Sequence, residues 1–208
     1  MLIVGAKGFA KEILGLLTSL NECENEEIAF FDNIDLKSQY LYEDFSILHD
    51  EVSVKNHFLK YGSSFVLGVG NPKVRRKLHE LMISFGGEEK TLISKNASVG
   101  QFGTTIGKGS IITDGVRVTN SVTIGESCLL NLNSTIGHDS VIGHFVELCP
   151  SVNISGNCHI GEGSFIGTGA ILLPGVQLGK WVTVGAGSVV TKSFPDNSKI
   201  IGVPGKSV

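Results

Sequence analysis

Six histidines, His49, His57, His79, His138, His144 and His159, are the side chains here that titrate closest to neutral pH. His138 differs from the rest by its setting, because it follows Ile136-Gly137 and precedes Asp139. A carboxylate beside an imidazole favours the imidazolium and orients the ring, which suits a general base. Neighbours on a regular strand point to opposite faces. A direct His138–Asp139 bond therefore requires a corner in the chain, or the carboxylate acts through a neighbouring subunit. On these residues alone His138 is either a base or a solvated surface histidine. His49, His57 and His79 lie in polar stretches and are expected at the surface. Cys23, Cys128, Cys149 and Cys158 show no CxxC spacing, so reduced buried thiols are expected and not a zinc or redox centre. The remaining candidate is the turn Gly5-Ala-Lys-Gly8-Phe-Ala10, with Asp32 about 25 residues on. It is a GxxGxA pattern and not a full GxGxxG, and it is compatible with a tight structural turn, a dinucleotide site, or a nucleotide-diphosphate or sugar site.

The second half must position His138, and it carries a repeat. Stepping by six from Ile106 meets Ile112, Val118, Ile124, Leu130, Ile136, Ile142, Leu148, Ile154, Ile160, Ile166, Leu172, Leu178, Val184 and Val190, all aliphatic. Gly follows the aliphatic residue at 107, 125, 137, 143, 161, 167, 179 and 185. A period of six is neither the 3.6 of a helix nor the 2 of a plain strand. It fits a coil of three short faces, one hexad each, with one aliphatic side chain per face pointing inward and coils stacking into a continuous core. Glycine beside the inward residue is expected to relieve steric limits on φ at the corner. The pattern resembles hexapeptide-repeat β-helices, and the left hand follows from that resemblance, not from the period. Val99-Gly100 is expected to begin a partial coil, and Ile200 to Lys206 to cap the open end. No long loop interrupts the coils, so a site must be built from coil faces and a neighbouring subunit.

The first half reads differently. Leu2-Ile3-Val4, Ile28 to Phe31 and Phe65 to Val69 are apolar and strand-like. Phe9 to Leu20 has helical spacing, Pro72 opens a helix to about Phe85, and Thr91-Leu-Ile93 is expected as a fourth strand of the same sheet. Alternating strands and helices indicate a small Rossmann-like parallel α/β sheet, whose ligands bind beyond the carboxyl ends of the strands. Gly5–Gly8, Asp32-Asn33 and Gly70-Asn71 lie there. The expected domains are residues 1–95 and 96–208.

Composition narrows the partners. A net charge of -3 without a Lys/Arg block argues against nucleic-acid or membrane-surface binding. The start, Met1 to Gly5, lacks the basic region and cleavage site of a signal peptide, and no apolar run reaches the ~20 residues of a membrane helix. A cytoplasmic location is expected by elimination.

Taken together, Gly5 to Ala10, Phe31-Asp-Asn33, Gly68 to Pro72, Asn131 to Asp139 and Ile201 to Lys206 resemble the sialic-acid O-acetyltransferase and UDP-amino-sugar N-acetyltransferase family, across both domains in order. The resemblance implies a nucleotide-sugar-binding α/β domain followed by a left-handed β-helix that transfers acetyl from acetyl-CoA directly, without a metal. It implies His138 as base and Asp139 as its acidic neighbour. It places Lys7, Gly8, Phe9, Asp32, Asn33, Gly70 and Asn131 at the acceptor, and Glu147, Gly167, Thr168, Gly185 and Ala186 at the coenzyme. It implies a homotrimer with sites between subunits. Two residues depart from the family pattern: many relatives have His at the positions of Phe9 and Glu147. The favoured acceptor is the amino group of a nucleotide-activated amino-sugar, and a hydroxyl of sialic acid or a related sugar is the alternative. Two rivals belong to other classes. One is a γ-type zinc carbonic anhydrase using His138, His144 and His159, although His159 has another hexad phase. The other is a non-catalytic scaffold or nucleotide-sugar sensor.

Overall fold

The computed structural model describes residues 1–21 and 28–208, so Cys23 lies outside the described residues. The chain divides into two compact units, one of Met1–Gly70 and Val74–Lys90, the other of Asn71–Lys73 and Thr91–Val208.

The first unit is an α/β sheet. Its elements are β1 (Leu2–Val4), α1 (Gly8–Leu20), β2 (Ala29–Phe31), β3 (Tyr40–Leu41), β4 (Phe45–Leu48), α2 (Glu51–Tyr61), β5 (Ser64–Leu67), α3 (Pro72–Ser84) and β6 (Glu88–Glu89). The strand order is β3-β4-β2-β1-β5-β6. All pairs are parallel except the edge hairpin β3–β4. Strands buried on both faces are continuously apolar, which is why β1, β2 and β5 were readable. The α1 helix buries Ala10, Ile13, Leu16 and Leu17 and ends at Asn21 in the left-handed conformation. By contrast, α2 buries only Val54, His57 and Phe58, so its periodicity was too faint to read. Asp50 caps it, accepting from the Ser53 N–H.

This corrects the histidines. His57 is buried, its ring 5.1 Å from that of Tyr61. His79 is half-buried, with Nδ1 donating to buried Glu89 at 2.7 Å. The half-buried His49 donates from Nδ1 to the Asp32 carbonyl at 2.6 Å. Polar neighbours in sequence did not mean solvent, because each of the three serves the sheet or a helix packed on it.

The second unit is the left-handed β-helix, a prism with three walls of stacked short strands. The first wall runs from Leu92–Ile93 through Leu129–Leu130, Glu147–Leu148 and Phe165–Ile166 to Lys199–Ile201. The second contains Thr135–Ile136 and Ile171–Leu172, and the third Val141–Ile142 and His159–Ile160. The inward aliphatics form one continuous core. Each fully buried Val, Leu or Ile contributes about 1.5–3 kcal/mol, so the stack is held chiefly by this column.

Three expectations change here. Leu92–Ile93 pairs with Ile111–Ile112 in the β-helix and not with the α/β sheet, whose edge is β6. Ser98–Val99 likewise belongs to a full first coil. The coil escaped the hexad count because one extra residue separates Val99 from Ile106, which shifts the frame. The chain therefore changes unit between Lys90 and Thr91, not at 95. The third change concerns the corners. From Ile106 to Val184, left-handed φ falls three residues after each inward aliphatic, at Ser127, Asn133, Asp139, Phe145 and their equivalents. The glycines directly after the aliphatics answer another need: a Cβ on Gly161 would lie 2.4 Å from the backbone of Gly179 in the next coil. The expected cap does form. Lys206–Ser207 folds back antiparallel on Ile200–Ile201, and Gly205 N–H donates to Val189.

Buried hydroxyls and thiols stitch successive coils. Ser140 Oγ donates to the Ser155 carbonyl and accepts from Cys158 N–H. Cys128 and Cys158 occupy the same hexad position as Ser140, with Sγ 3.0 and 3.3 Å from the Gly143 and Leu173 carbonyls. They are structural thiols.

Candidate active site

Each prism edge is a column of turns. His138 and Asp139 sit on the second edge, between the second and third walls, where the chain leaves Thr135–Ile136 and enters Val141–Ile142. Asp139 has φ 58°, the left-handed corner that short acidic and amide side chains tolerate. The corner turns its carboxylate back toward its neighbour, and His138 Nδ1–H donates to Asp139 Oδ2 at 2.7 Å. The two side chains are 65% and 55% exposed. So exposed a pair adds only about 0–1 kcal/mol to stability. Its consequence is orientation: in the neutral ring, an Nδ1–H that donates to Asp139 leaves the lone pair on Nε2.

The ring lies over the next coil. A Cβ on Gly156 would meet His138 Nε2 and Cε1 at 2.7 Å. Gly156 was not singled out from the sequence. It stands 18 residues after His138, one coil along, and that three-hexad offset was the signal available.

The other residues expected on the β-helix are not gathered around His138 within one chain. Asn131, Gly167, Thr168, Gly185 and Ala186 occupy the first edge, between the first and second walls. Six extended residues span at most roughly 20 Å, so a full wall separates the two edges. Thr168 and Ala186 are exposed one coil apart on that edge, and Gly187 N–H donates to Thr168 O. Asn131 is buried, with Oδ1 accepting from Leu132 N–H. Glu147 departs further from expectation: it is buried on the first wall, Oε1 3.8 Å from Cys149 Sγ. Burial first, then the Glu147 charge, push the Cys149 thiol up to about 12, so it is no nucleophile at neutral pH. His144 lies on the third edge and accepts at Nδ1 from Glu126 N–H, while His159 points outward from the third wall. Among the described residues no group of three His, Cys, Asp or Glu side chains could hold a metal ion.

The first unit holds its own candidate site, a cleft of about 380 Å³ beyond the carboxyl ends of β1, β2 and β5. Lys7, Asp32 and Asn33 line it. Its floor exists because Gly5 (φ +118°) leaves β1 where a Cβ would strike the Gly68 carbonyl at 2.9 Å. Gly8, Phe9 and Gly70 do not line the cleft. Gly8 and Phe9 form the first turn of α1, and Gly68 and Val69 take the place assigned to Gly70. Lys7 is the N-cap of α1 and its side chain makes no cap hydrogen bond. Asp32 Oδ1 accepts from the N–H groups of Ile34 and Asp35 and so shapes its own loop. Sequence reading missed the cleft's other side, supplied by Val74, Lys77, Leu78 and Leu81 of α3.

Comparison with known proteins agrees with this two-part organisation. Residues 1–82 match the PglD N-terminal domain, and residues 157–192 match the bacterial transferase hexapeptide (six repeats). The chain is similar over its whole length to the acetyltransferase domain of PglB from Neisseria gonorrhoeae, solved with acetyl coenzyme A (28% identity, 98% of that chain, TM-score 0.89). It is also similar over its whole length to a mutant of perosamine N-acetyltransferase from Caulobacter crescentus, solved with CoA and GDP-perosamine (26% identity, 95% of that chain, TM-score 0.90). WeeI from Acinetobacter baumannii gives 29% identity over the whole of this chain and 98% of that one, with a TM-score of 0.88.

Proposed function

We propose that this chain is a hexapeptide-repeat sugar acetyltransferase that transfers the acetyl group of acetyl-CoA to the amino group of a nucleotide-activated amino-sugar. The observation that carries the proposal is the exposed imidazole of His138, held at Nδ1 by Asp139 with Nε2 left to accept a proton. Full-length likeness to a chain solved with CoA and GDP-perosamine supports a nucleotide-linked amine over sialic acid as acceptor.

In the proposed reaction the acceptor nitrogen attacks the thioester carbonyl while His138 Nε2 takes its proton. Asp139 stabilises the imidazolium that forms. General-base help of this kind contributes about 10²–10⁴-fold. A backbone N–H of the coil receives the developing oxyanion. The C–S bond breaks as the new C–N bond is completed, and the imidazolium returns its proton to the coenzyme A thiolate. No covalent enzyme intermediate is involved, consistent with the buried thiols.

The separation of the two edges supports a homotrimer. The second edge of one copy, with His138, faces the first edge of the next, with Asn131, Gly167, Thr168, Gly185 and Ala186, and acetyl-CoA lies between them. Glu147, buried beside Cys149, stays outside these contacts. The α/β unit binds the nucleotide of the acceptor through Lys7 and Asn33, and the β-helix performs the transfer. The proposed location is the cytoplasm.

The test is coenzyme A thiol release with a UDP-linked 4-amino-sugar and with free sialic acid, side by side. Release with the amine supports the proposal, and release with sialic acid alone replaces it with O-acetylation. His138→Asn should remain folded and lose about 10²-fold or more in rate. A near-normal rate would remove His138 as base.

A further inference from the structure

Helix α3 contributes four residues to the cleft of the first unit, at positions 74, 77, 78 and 81. Their spacing is i, i+3, i+4 and i+7, one continuous helix face. Leu78 and Leu81 also pack against the core of the sheet, so this face is fixed in place. Val74 is 43% exposed and Ile34, elsewhere in the cleft lining, is 80% exposed. The cleft thus combines water-exposed aliphatic surface with two lysines, Lys7 and Lys77, against the single carboxylate of Asp32. That carboxylate is already drawn into its own loop by two N–H groups. Part of the Lys7 charge is shared as well. Asp35 is held below the ordinary carboxylate range first by the Lys37 N–H and the Ser38 hydroxyl, and also by Lys7. Lys77 therefore supplies positive charge where the apolar helix face meets the cleft.

Resting on the proposed nucleotide-linked acceptor, we infer that this face of α3 is the nucleotide wall of the acceptor site. Lys77 pairs with the diphosphate, and Val74, Leu78 and Leu81, with Ile34, give the nucleobase an apolar surface. A nucleoside diphosphate matches both halves of the lining. A neutral free sugar would use neither the charge nor the aliphatic wall, and the carboxylate of sialic acid would use the charge but leave the aliphatic wall uncovered.

The test is titration calorimetry on the full chain with UDP, GDP, uridine, guanosine and acetyl-CoA. Lys77→Met should weaken whichever diphosphate binds by about ten- to a hundredfold, the loss of one charged hydrogen-bonding partner. Uridine, guanosine and acetyl-CoA should change less than twofold. Val74→Asp, at an exposed position, should weaken both the diphosphate and its parent nucleoside. Lys60→Met, on α2 beside Tyr61 and away from the cleft, should change nothing. An unchanged diphosphate affinity in folded Lys77→Met overturns the inference while leaving acetyl transfer standing. A selective loss of acetyl-CoA binding also overturns it, by assigning the wall to the coenzyme. Lys77-dependent UDP or GDP binding without any acetyl transfer keeps the nucleotide wall and defeats the transferase proposal instead.

Discussion

Gly156→Ala offers a sharp test of the catalytic geometry. The added methyl would sit 2.7 Å from His138 Nε2 and Cε1 and 3.2 Å from Cδ2. Comfortable contact between such atoms needs about 3.5–4.0 Å, so the ring must retreat by roughly 1 Å. Gly156 is not among the residues with positive φ, so alanine fits its backbone and the perturbation is steric, aimed at the imidazole. The ring is 65% exposed and can swing outward, so the fold should barely notice. Swinging outward, however, lengthens the 2.7 Å bond to Asp139 and moves Nε2 off the line of attack. A misplacement of about 1 Å at a reacting group costs on the order of 10²-fold. Steady-state kinetics should show kcat/KM lowered by about that factor, with the melting temperature close to the parent protein's. Gly62→Ala is the converse control. Gly62 closes α2 at φ 92° and ψ 151°, a region nearly restricted to glycine, with open space around its would-be Cβ. It should lose about 1–3 kcal/mol of stability and keep full activity. A folded Gly156→Ala protein within twofold of the parent rate would refute the placement of Nε2 as the working atom.

Asp139→Asn keeps a residue that tolerates φ 58° but removes the negative charge. Its rate should fall at least tenfold with the fold intact, whereas Asp139→Ala should show the same loss together with a lower melting temperature. Cys149 should resist iodoacetamide in the native protein up to strongly alkaline pH, because its thiol is held at about 12 by burial and by Glu147. Peptide mapping after native and denaturing labelling reads this, and ready native labelling at pH 8 would contradict the buried setting. Trp181, the sole tryptophan, lies where a Cβ on Gly163 would meet its ring at 2.4 Å. Gly163→Ala should displace the indole and shift its emission to longer wavelength, and an unchanged spectrum would place the ring elsewhere.

Much of this protein was legible because its second half is nearly one-dimensional. Each coil touches only its neighbours, so a period of six in the sequence becomes a period of three walls in space. The same arithmetic puts Gly156 beneath His138 and separates Asn131 and Thr168 from it by a wall. The first unit was less open. Its central strands read clearly because both faces are buried. In contrast, α2 hides a histidine among its three buried positions, and β3 and β6 are two residues long.

By itself, then, the sequence determined the two-part architecture, the stacked core and the outward placement of His138, since all three follow from local periodicity. Tertiary structure decided what periodicity cannot carry. It set the left-handed corner that turns Asp139 onto His138, the burial of Glu147 and His57, and the face of α3 that completes the cleft. Each of these depends on where a side chain points relative to residues distant in the chain. That direction is fixed only when coils stack and helices pack.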